Sequence, residues 1–307
     1  MPFFEKCQRN YDLDQVCEGG KSNELPKEEV SLIYQALVLG IKDYFSKLNL
    51  KTALLGLSGG IDSALTCVLA THALGNENVK VLLMPSQYSS EGSVVDARDL
   101  AEKLGISYEI IAIEDIFKTY SHVLDPFFSG MPQNITEENI QARIRGMLLM
   151  AFSNKFGSIL LNTTNKSEMA VGYGTLYGDL CGGLAVLADV YKTQVYELSH
   201  YINRNEEIIP QNSISKPPSA ELRPGQKDSD SLPDYSILDK ILYQYIELEK
   251  GPNEIIDQGF DRDIVLRSCR LVNKAEFKRY QSPPVLRVSS KSFGLGRRMP
   301  IEGKYLV

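Results

Sequence analysis

Short apolar runs and helical repeats alternate along the middle of this chain, and that alternation limits the fold more than any other feature. Residues 52–57, 79–84, 108–113 and 158–162 are strand-like runs, the second stopped by Pro85. Residues 62–74, 94–104 and 137–156 repeat apolar positions at helical spacing and end at Gly75, Gly105 and Gly157. Strands alternating with helices at this interval build a parallel sheet through right-handed crossovers. The expected fold class is therefore α/β, a doubly wound parallel sheet with flanking helices. An amphipathic helix over 28–48, with Ile33, Leu37, Ile41 and Phe45 in register, precedes the first strand. Residues 1–27 show no period and read as a lead-in or linker. Later, 192–201 and 236–248 look helical, and 210–234 between them is rich in Pro, Ser, Lys and Asp. A loop that long in a compact domain reads as a flexible lid.

Composition narrows the function classes. The 307 residues carry 33 Lys+Arg against 39 Asp+Glu, a formal charge of −6. No basic stripe for nucleic acid is expected, so any anionic ligand needs a local site. The longest apolar runs, 53–57 and 79–84, are far short of the roughly 20 residues that span a bilayer. The N-terminal MPFFEKCQRN lacks the apolar stretch of a signal peptide. No membrane partner and a cytoplasmic location are expected. Five cysteines (Cys7, Cys17, Cys67, Cys181 and Cys269) are widely spaced without a C-x-x-C pair, and only three histidines accompany them. Neither a zinc site nor a disulfide scaffold is expected.

The chemistry concentrates in Leu57-Ser58-Gly59-Gly60-Ile61-Asp62-Ser63, where the first strand turns into a helix. Gly59 and Gly60 allow open dihedrals and close approach, the helix N-terminus adds positive partial charge, and Ser58 and Ser63 add hydroxyls. Phosphate is the natural guest. Asp62 would repel phosphate directly but suits a Mg²⁺ ion that bridges to it. The P-loop pattern fails because no Lys follows the glycines, and the dinucleotide pattern G-x-G-x-x-G is absent. Gly56-Leu57-Ser58-Gly59-Gly60 does match G-x-S-x-G, so a serine hydrolase using Ser58 is an alternative. It needs a histidine late in the chain, and His200 is the last of His72, His122 and His200. A plain tight turn would leave Asp62 and Ser63 without a task.

Ser58-Gly59-Gly60-Ile61-Asp62-Ser63 resembles the S-G-G-x-D-S loop of the ATP pyrophosphatase superfamily, whose fold is the adenine nucleotide alpha hydrolase-like type. Further stretches choose within it: Met84-Pro85-Ser86-Gln87-Tyr88-Ser89-Ser90, Asn139-Ile140-Gln141-Ala142-Arg143-Ile144-Arg145, Asn162-Thr163-Thr164-Asn165-Lys166-Ser167-Glu168, Tyr177-Gly178-Asp179, Lys192, Pro217-Pro218-Ser219-Ala220-Glu221-Leu222 and Phe277-Lys278-Arg279. Together they resemble the NAD⁺ synthetase family over residues 28–307, and the run from Ser290 to Ile301 resembles its glutamine-dependent branch. That branch carries an N-terminal glutaminase domain with a Cys-Glu-Lys triad, for which this chain leaves no room. It reads either as an excised synthetase module or as a stand-alone form fed ammonia from elsewhere, by a glutaminase domain or subunit. Cys7 and Cys17 are not expected to act as glutaminase nucleophiles.

The resemblance implies amidation of deamido-NAD⁺ to NAD⁺ through an acyl-adenylate, with ATP as co-substrate, Mg²⁺ as cofactor, ammonia as nitrogen donor, and AMP and pyrophosphate released. It implies that Ser58, Gly59, Gly60 and Ser63 hold pyrophosphate, and that Asp62 and Glu168 share Mg²⁺. Lys192 and Ser219 would contact the triphosphate and Met84 and Ser89 the adenosine. Thr163, counted with the ATP contacts, and Asp179 match positions on the nicotinate side. Asn139 and Arg143, four apart on one helix face, would meet deamido-NAD⁺. Asp62, Lys192 and Asp179 are the implied catalytic residues, Asp179 as the group that orients or deprotonates ammonium. Modules of this family pair as homodimers, and the apolar stripe of 28–48 is the expected contact. A catalytically silent nucleotide-binding scaffold is the remaining alternative.

Overall fold

The computed structural model describes residues 28–303 together with Phe4, Gln8 and Asn10. The lead-in 1–27, with Cys7 and Cys17, lies otherwise outside the described residues.

Helix α1 (Glu29–Lys47) leads into strand β1 (Ala53–Gly56), then α2 (Ile61–Leu74), β2 (Val79–Leu83), α3 (Glu91–Leu104) and β3 (Ser107–Ile110). Helices α4 (Glu114–Phe128) and α5 (Ile135–Phe156) follow, then β4 (Ile159–Asn162), the short α6 (Lys166–Val171) and β5 (Leu184–Ala185). The strands form one parallel sheet in the order β3-β2-β1-β4-β5. The chain winds outward from β1 to β3 and then returns to the other side of β1. This is the doubly wound α/β arrangement that the alternation predicts, and its switch point lies between β1 and β4, where such sheets bind ligands at the strand C-termini.

Side chains of a strand point alternately to the two faces, and both faces of β1 and β2 are covered, whereas the edge strand β3 is largely exposed. Ala53 and Leu55 of β1 and Val79, Val81 and Leu83 of β2 join the core under α1, α2 and α3. Leu54 and Leu82 enter the opposite cluster with Phe117 of α4 and Ile144 of α5. Burial on both faces explains why these strands read as continuous apolar runs. All four predicted strands shorten by one or two residues, and β5, two residues long, escapes the sequence reading.

The second half adds α7 (Lys192–Ile202), α8 (Gln211–Ser215), α9 (Tyr235–Ile246), α10 (Pro252–Ile256), α11 (Arg262–Lys274) and α12 (Glu276–Arg279). Tyr235, Leu238 and Leu242 of α9 and Val272 of α11 pack with Met169 and Ala170 of α6 in a second core. Segment 210–234 is not all loop, since it holds α8 and a 3₁₀ turn at Asp228–Asp230. Leu37, Ile41 and Phe45 of the α1 stripe are buried against the chain's own core, while Leu32 and Leu39 on the same helix are half-buried. Exposed large apolar residues lie on α4, α5 and the connection between them, at Tyr120, Val123, Phe127, Met131, Ile135 and Met147. Among the described residues no helix is long and apolar enough to cross a membrane, and Cys67, Cys181 and Cys269 are free thiols.

Candidate active site

A cleft opens where β1 and β4 end, and the turn 57–63 forms its floor. Gly59 takes φ 80, and a Cβ there would stand 2.1 Å from the Ser93 carbonyl oxygen. Only glycine fits. The two serines shape the turn from inside: Ser63 Oγ donates to the Gly60 carbonyl at 3.0 Å and accepts from the Ser58 amide at 3.2 Å. Ser58 Oγ lies 3.1 Å from Ser63 Oγ and accepts from the Gly60 amide. Ser58 is exposed to the cleft, whereas Ser63 is buried.

Asp62 stands in the first turn of α2. Its Oδ1 accepts from Asn165 Nδ2 at 2.9 Å, and its Oδ2 takes a hydrogen bond from Lys192 Nζ. Asn165 is also the N-cap of α6. Its side chain accepts from the Glu168 amide at 2.9 Å while Glu168 Oε2 accepts from the Asn165 amide at 3.3 Å, a reciprocal capping box. That box leaves Glu168 Oε1 free to face Lys192 Nζ at 3.6 Å. Asp62, Glu168 and Lys192, from three separate helices, thus meet at one point.

The charges there are strongly coupled. Burial drives the Glu168 carboxyl well above its ordinary value, Asp62 raises it further, and Lys192 opposes both. Burial depresses the Lys192 ammonium, but Asp62 and Glu168 reverse that effect and hold it above its ordinary value. The lysine side chain is 2% exposed and the two carboxylates are 18% and 16% exposed, so the cation is sealed while the anions still reach the cleft. The Tyr235 ring covers the ammonium at 5.5 Å. Nearby, Asp228 accepts from Tyr173 Oη at 3.2 Å and Tyr235 Oη at 3.0 Å.

Most of the residues expected from the sequence line this cleft: Ser58, Gly60, Asp62, Ser63, Met84, Ser89, Thr163, Glu168, Asp179, Lys192 and Ser219. Gly59 lies just behind, its carbonyl accepting from Ser213 Oγ at 2.8 Å. Asp179 is exposed on the cleft wall, where enclosure lifts its carboxyl above the ordinary range; the Thr175 amide, Lys278 and Arg145 pull it back. Segment 216–222 closes one side. Glu221, at φ 49, accepts from the Ser90 amide at 3.3 Å, Ser90 Oγ at 3.1 Å and Ser93 Oγ at 2.8 Å.

Asn139 and Arg143 are not brought into the cleft. Asn139 Oδ1 accepts from Thr175 Oγ1 at 2.7 Å. Arg143 is exposed and borders a second cavity with Tyr120, Met147, Tyr177 and Gln281, which meets the first at Gly146 and Cys181. The arginine that enters the cleft is Arg145, whose Nε donates to the Met84 carbonyl at 3.0 Å and whose pKa burial lowers to about 10. Arg145, Lys216 and Glu221 are cleft residues that the sequence reading does not single out, and Asp228 joins them from the expected lid segment. Arg145 and Glu221 lie inside motifs it quotes, but a motif does not say which of its side chains faces the ligand. Among the described residues lining the cleft there is no histidine, so Ser58 lacks the base that a hydrolase needs.

The two half-buried carboxylates are hard oxygen donors. Mg²⁺ is commonly held by one or two carboxylates plus substrate phosphates, and Asp62 and Glu168 fit that requirement. No group of three or more His, Cys, Asp or Glu residues clusters for a metal among the described residues.

Comparison with known proteins agrees with this geometry. Residues 33–282 match the family described as NAD synthase. The glutamine-dependent NAD(+) synthetase of Synechocystis sp. is 53% identical over 293 residues, covering 95% of this chain and 52% of that protein. The enzyme of the same name from Thermotoga maritima is 51% identical over 285 residues, 92% of this chain and 49% of its own length. The solved glutamine-dependent NAD+ synthetase of Acinetobacter baumannii, in complex with ADP, superposes with a TM-score of 0.63 at 44% identity, covering 92% of this chain and 51% of that one. The chain spans about half the length of the curated relatives it matches. With its sheet order, its glycine turn and the Asp62, Glu168 and Lys192 cluster in place, the chain belongs to the NAD synthase family.

Proposed function

We propose that this chain is a synthetase module that amidates deamido-NAD⁺ to NAD⁺ at the expense of ATP, with residues 28–307 as its catalytic domain. The observation that carries the reading is the sealed Lys192 ammonium between Asp62 and Glu168 beside the glycine turn.

A nicotinate carboxylate resists ammonia because it is an anion without a leaving group. In the proposed reaction its oxygen attacks the α-phosphorus of ATP, the bond from that phosphorus to the bridging oxygen breaks, and pyrophosphate departs. Ammonia then adds to the acyl carbon and AMP leaves with the bonding pair of the C–O bond. Catalysis of this kind rests on placement and on charge stabilisation. The amides of the 58–63 turn hold the departing pyrophosphate at the start of α2, Lys192 balances its charge, and Ser219 supplies a further donor. Mg²⁺, when bound by Asp62 and Glu168, would neutralise phosphate charge. Met84 and Ser89 border the adenosine side, and Thr163 and Asp179 the acyl side, where Asp179 receives the ammonium proton. Segment 210–234 closes over the adenylate and keeps water out.

Arg143 lies away from the cleft, at the second cavity beside the exposed apolar residues of α4 and α5. We therefore place the remote part of deamido-NAD⁺ there, with Asn139 on the same helix. A second copy of the chain covering that apolar face would form the homodimer and enclose the dinucleotide. The ATP requirement argues for a cytoplasmic location.

The test is incubation of the purified chain with deamido-NAD⁺, ATP and Mg²⁺, with ammonium in one reaction and glutamine in another. NAD⁺ and AMP in equal amounts from ammonium support the reading. ATP binding without AMP would make the chain a silent nucleotide-binding protein, and labelling of Ser58 by a fluorophosphonate would return the hydrolase.

A further inference from the structure

We propose that Asp239, on the far side of α9 from solvent, is the positioning residue that sets Lys192 and Glu168 against each other, by tying the first turns of α6 and α7 together. The proposal rests on the reading of this cleft as an adenylating site.

Asp239 is 5% exposed. Its Oδ1 accepts from Ser167 Oγ and its Oδ2 accepts from the Thr193 amide at 2.8 Å. Ser167 Oγ in turn accepts from the Lys192 amide at 2.9 Å. One carboxylate thus holds the residue before Glu168, the residue after Lys192 and, through Ser167, the backbone of Lys192 itself. These amides belong to the first turn of α7, which has no intrahelical acceptors for them. The negative charge also faces the positive end of that helix.

The same helix face steadies the lysine side chain. Tyr235, four residues before Asp239 and so on one side of α9, lays its ring over Lys192 Nζ at 5.5 Å. Its hydroxyl donates to Asp228 in segment 210–234. Backbone and side chain of Lys192 are therefore both referenced to α9. Neither Asp239 nor Ser167 borders the cleft, so their effect on chemistry passes through the two residues they hold. Lys192 and Glu168 come from different helices, joined ahead of α7 by the Lys166 amide donating to the Val190 carbonyl at 2.8 Å, a contact that precedes both residues and leaves the turns that carry them to be fixed by side chains. The Ser167–Asp239 link supplies that constraint.

The experiment compares wild type, Asp239→Ala, Ser167→Ala and the double variant of the whole chain. AMP release with ATP, deamido-NAD⁺ and Mg²⁺ gives kcat and KM, and a second assay measures acylation of individual lysines by a water-soluble N-hydroxysuccinimide ester. The expected result is a 10–100-fold fall in kcat for each single variant, the range seen when outer-shell partners are removed. KM for ATP should stay within about threefold of wild type, because ground-state contacts are kept. The double variant should lose no more than the worse single one, since the two residues act as one link. Lys192, protected in wild type, should become acylated in the variants, while the equally buried Lys166 stays protected.

Multiplicative losses in the double variant, unchanged kcat, or acylation of Lys166 together with Lys192 would each overturn the proposal, the last because it signals general loosening. Should Asp239→Ala fail to fold, Asp239→Asn takes its place, with the same shape and one acceptor fewer. If wild type releases no AMP, the amidation reading fails. The acylation of Lys192 against Lys166 still decides for or against Asp239.

Discussion

Lys192 and Asp62 join across the cleft although 130 residues separate them, and the ammonium of one is sealed against the carboxylate of the other. Lys192→Met leaves Asp62 and Glu168 facing each other without a cation. AMP release should fall by about 10²–10³-fold, the scale of losing one preorganised charge-stabilising group. Breaking a buried pair costs about 3–5 kcal/mol, and the value here should lie at the low end because both carboxylates reach the cleft. Calorimetry and AMP quantification check the two parts. Lys192→Arg should not restore activity, since a planar guanidinium does not fit a pocket shaped for a compact ammonium.

Gly59 and Gly130 share φ 80 but not their surroundings. A Cβ at Gly59 meets the Ser93 carbonyl at 2.1 Å, whereas at Gly130 nothing lies within 4 Å. Alanine at Gly130 should cost about 1 kcal/mol, from backbone strain alone. Alanine at Gly59 must also push α3 away from the turn, so it should cost more and abolish ATP binding in titration calorimetry. Equal effects would mean that the close approach to Ser93 has no part in binding.

Asp179 has a carboxyl raised by enclosure in the cleft. Its charged form is therefore lost at a higher pH than the ordinary aspartate value of about 3.9. As pH falls from neutrality through that raised value, the carboxylate proposed to receive the ammonium proton is neutralised, and the amidation rate should fall. Asp179→Asn should remove this acid limb from the pH profile and depress NAD⁺ formation more than AMP formation. Equal loss of both products would refute the assignment.

Glu221 ties segment 216–222 to the start of α3 through Ser90 and Ser93. Hydrogen bonds to a charged group contribute about 1.5–3 kcal/mol. Glu221→Ala should raise KM for ATP roughly tenfold with a smaller change in kcat, the mark of lost uniform binding. Proteolysis near Arg223 and Lys227, both exposed, should also accelerate. Unchanged KM and cleavage rate would show that other contacts hold the segment.

The amino-acid order by itself determines the parallel sheet, the glycine turn and the family. These are local properties, since strand and helix periods, glycine stops and the contiguous motif from Ser58 to Ser63 all depend on near neighbours in sequence. Local reading fails where neighbours in space decide. It assigns no element to 114–128, because Pro126 sits within a helix that α5 packs against. It does not separate the part of the α1 stripe that the chain's own core buries, Leu37, Ile41 and Phe45, from the rest, since a stripe shows that a face is apolar but not what covers it. It names Arg143 but not Arg145, because one helix carries both and only the packing of α5 decides that Arg145 reaches Met84 while Arg143 borders the second cavity. It passes over Asp239, an unremarkable acid in a helical run, because its partners Ser167 and Thr193 are 72 and 46 residues away. Such contacts carry no periodic signature in the sequence. They exist only once the packing of α6, α7 and α9 removes their donors from water and leaves one carboxylate within reach.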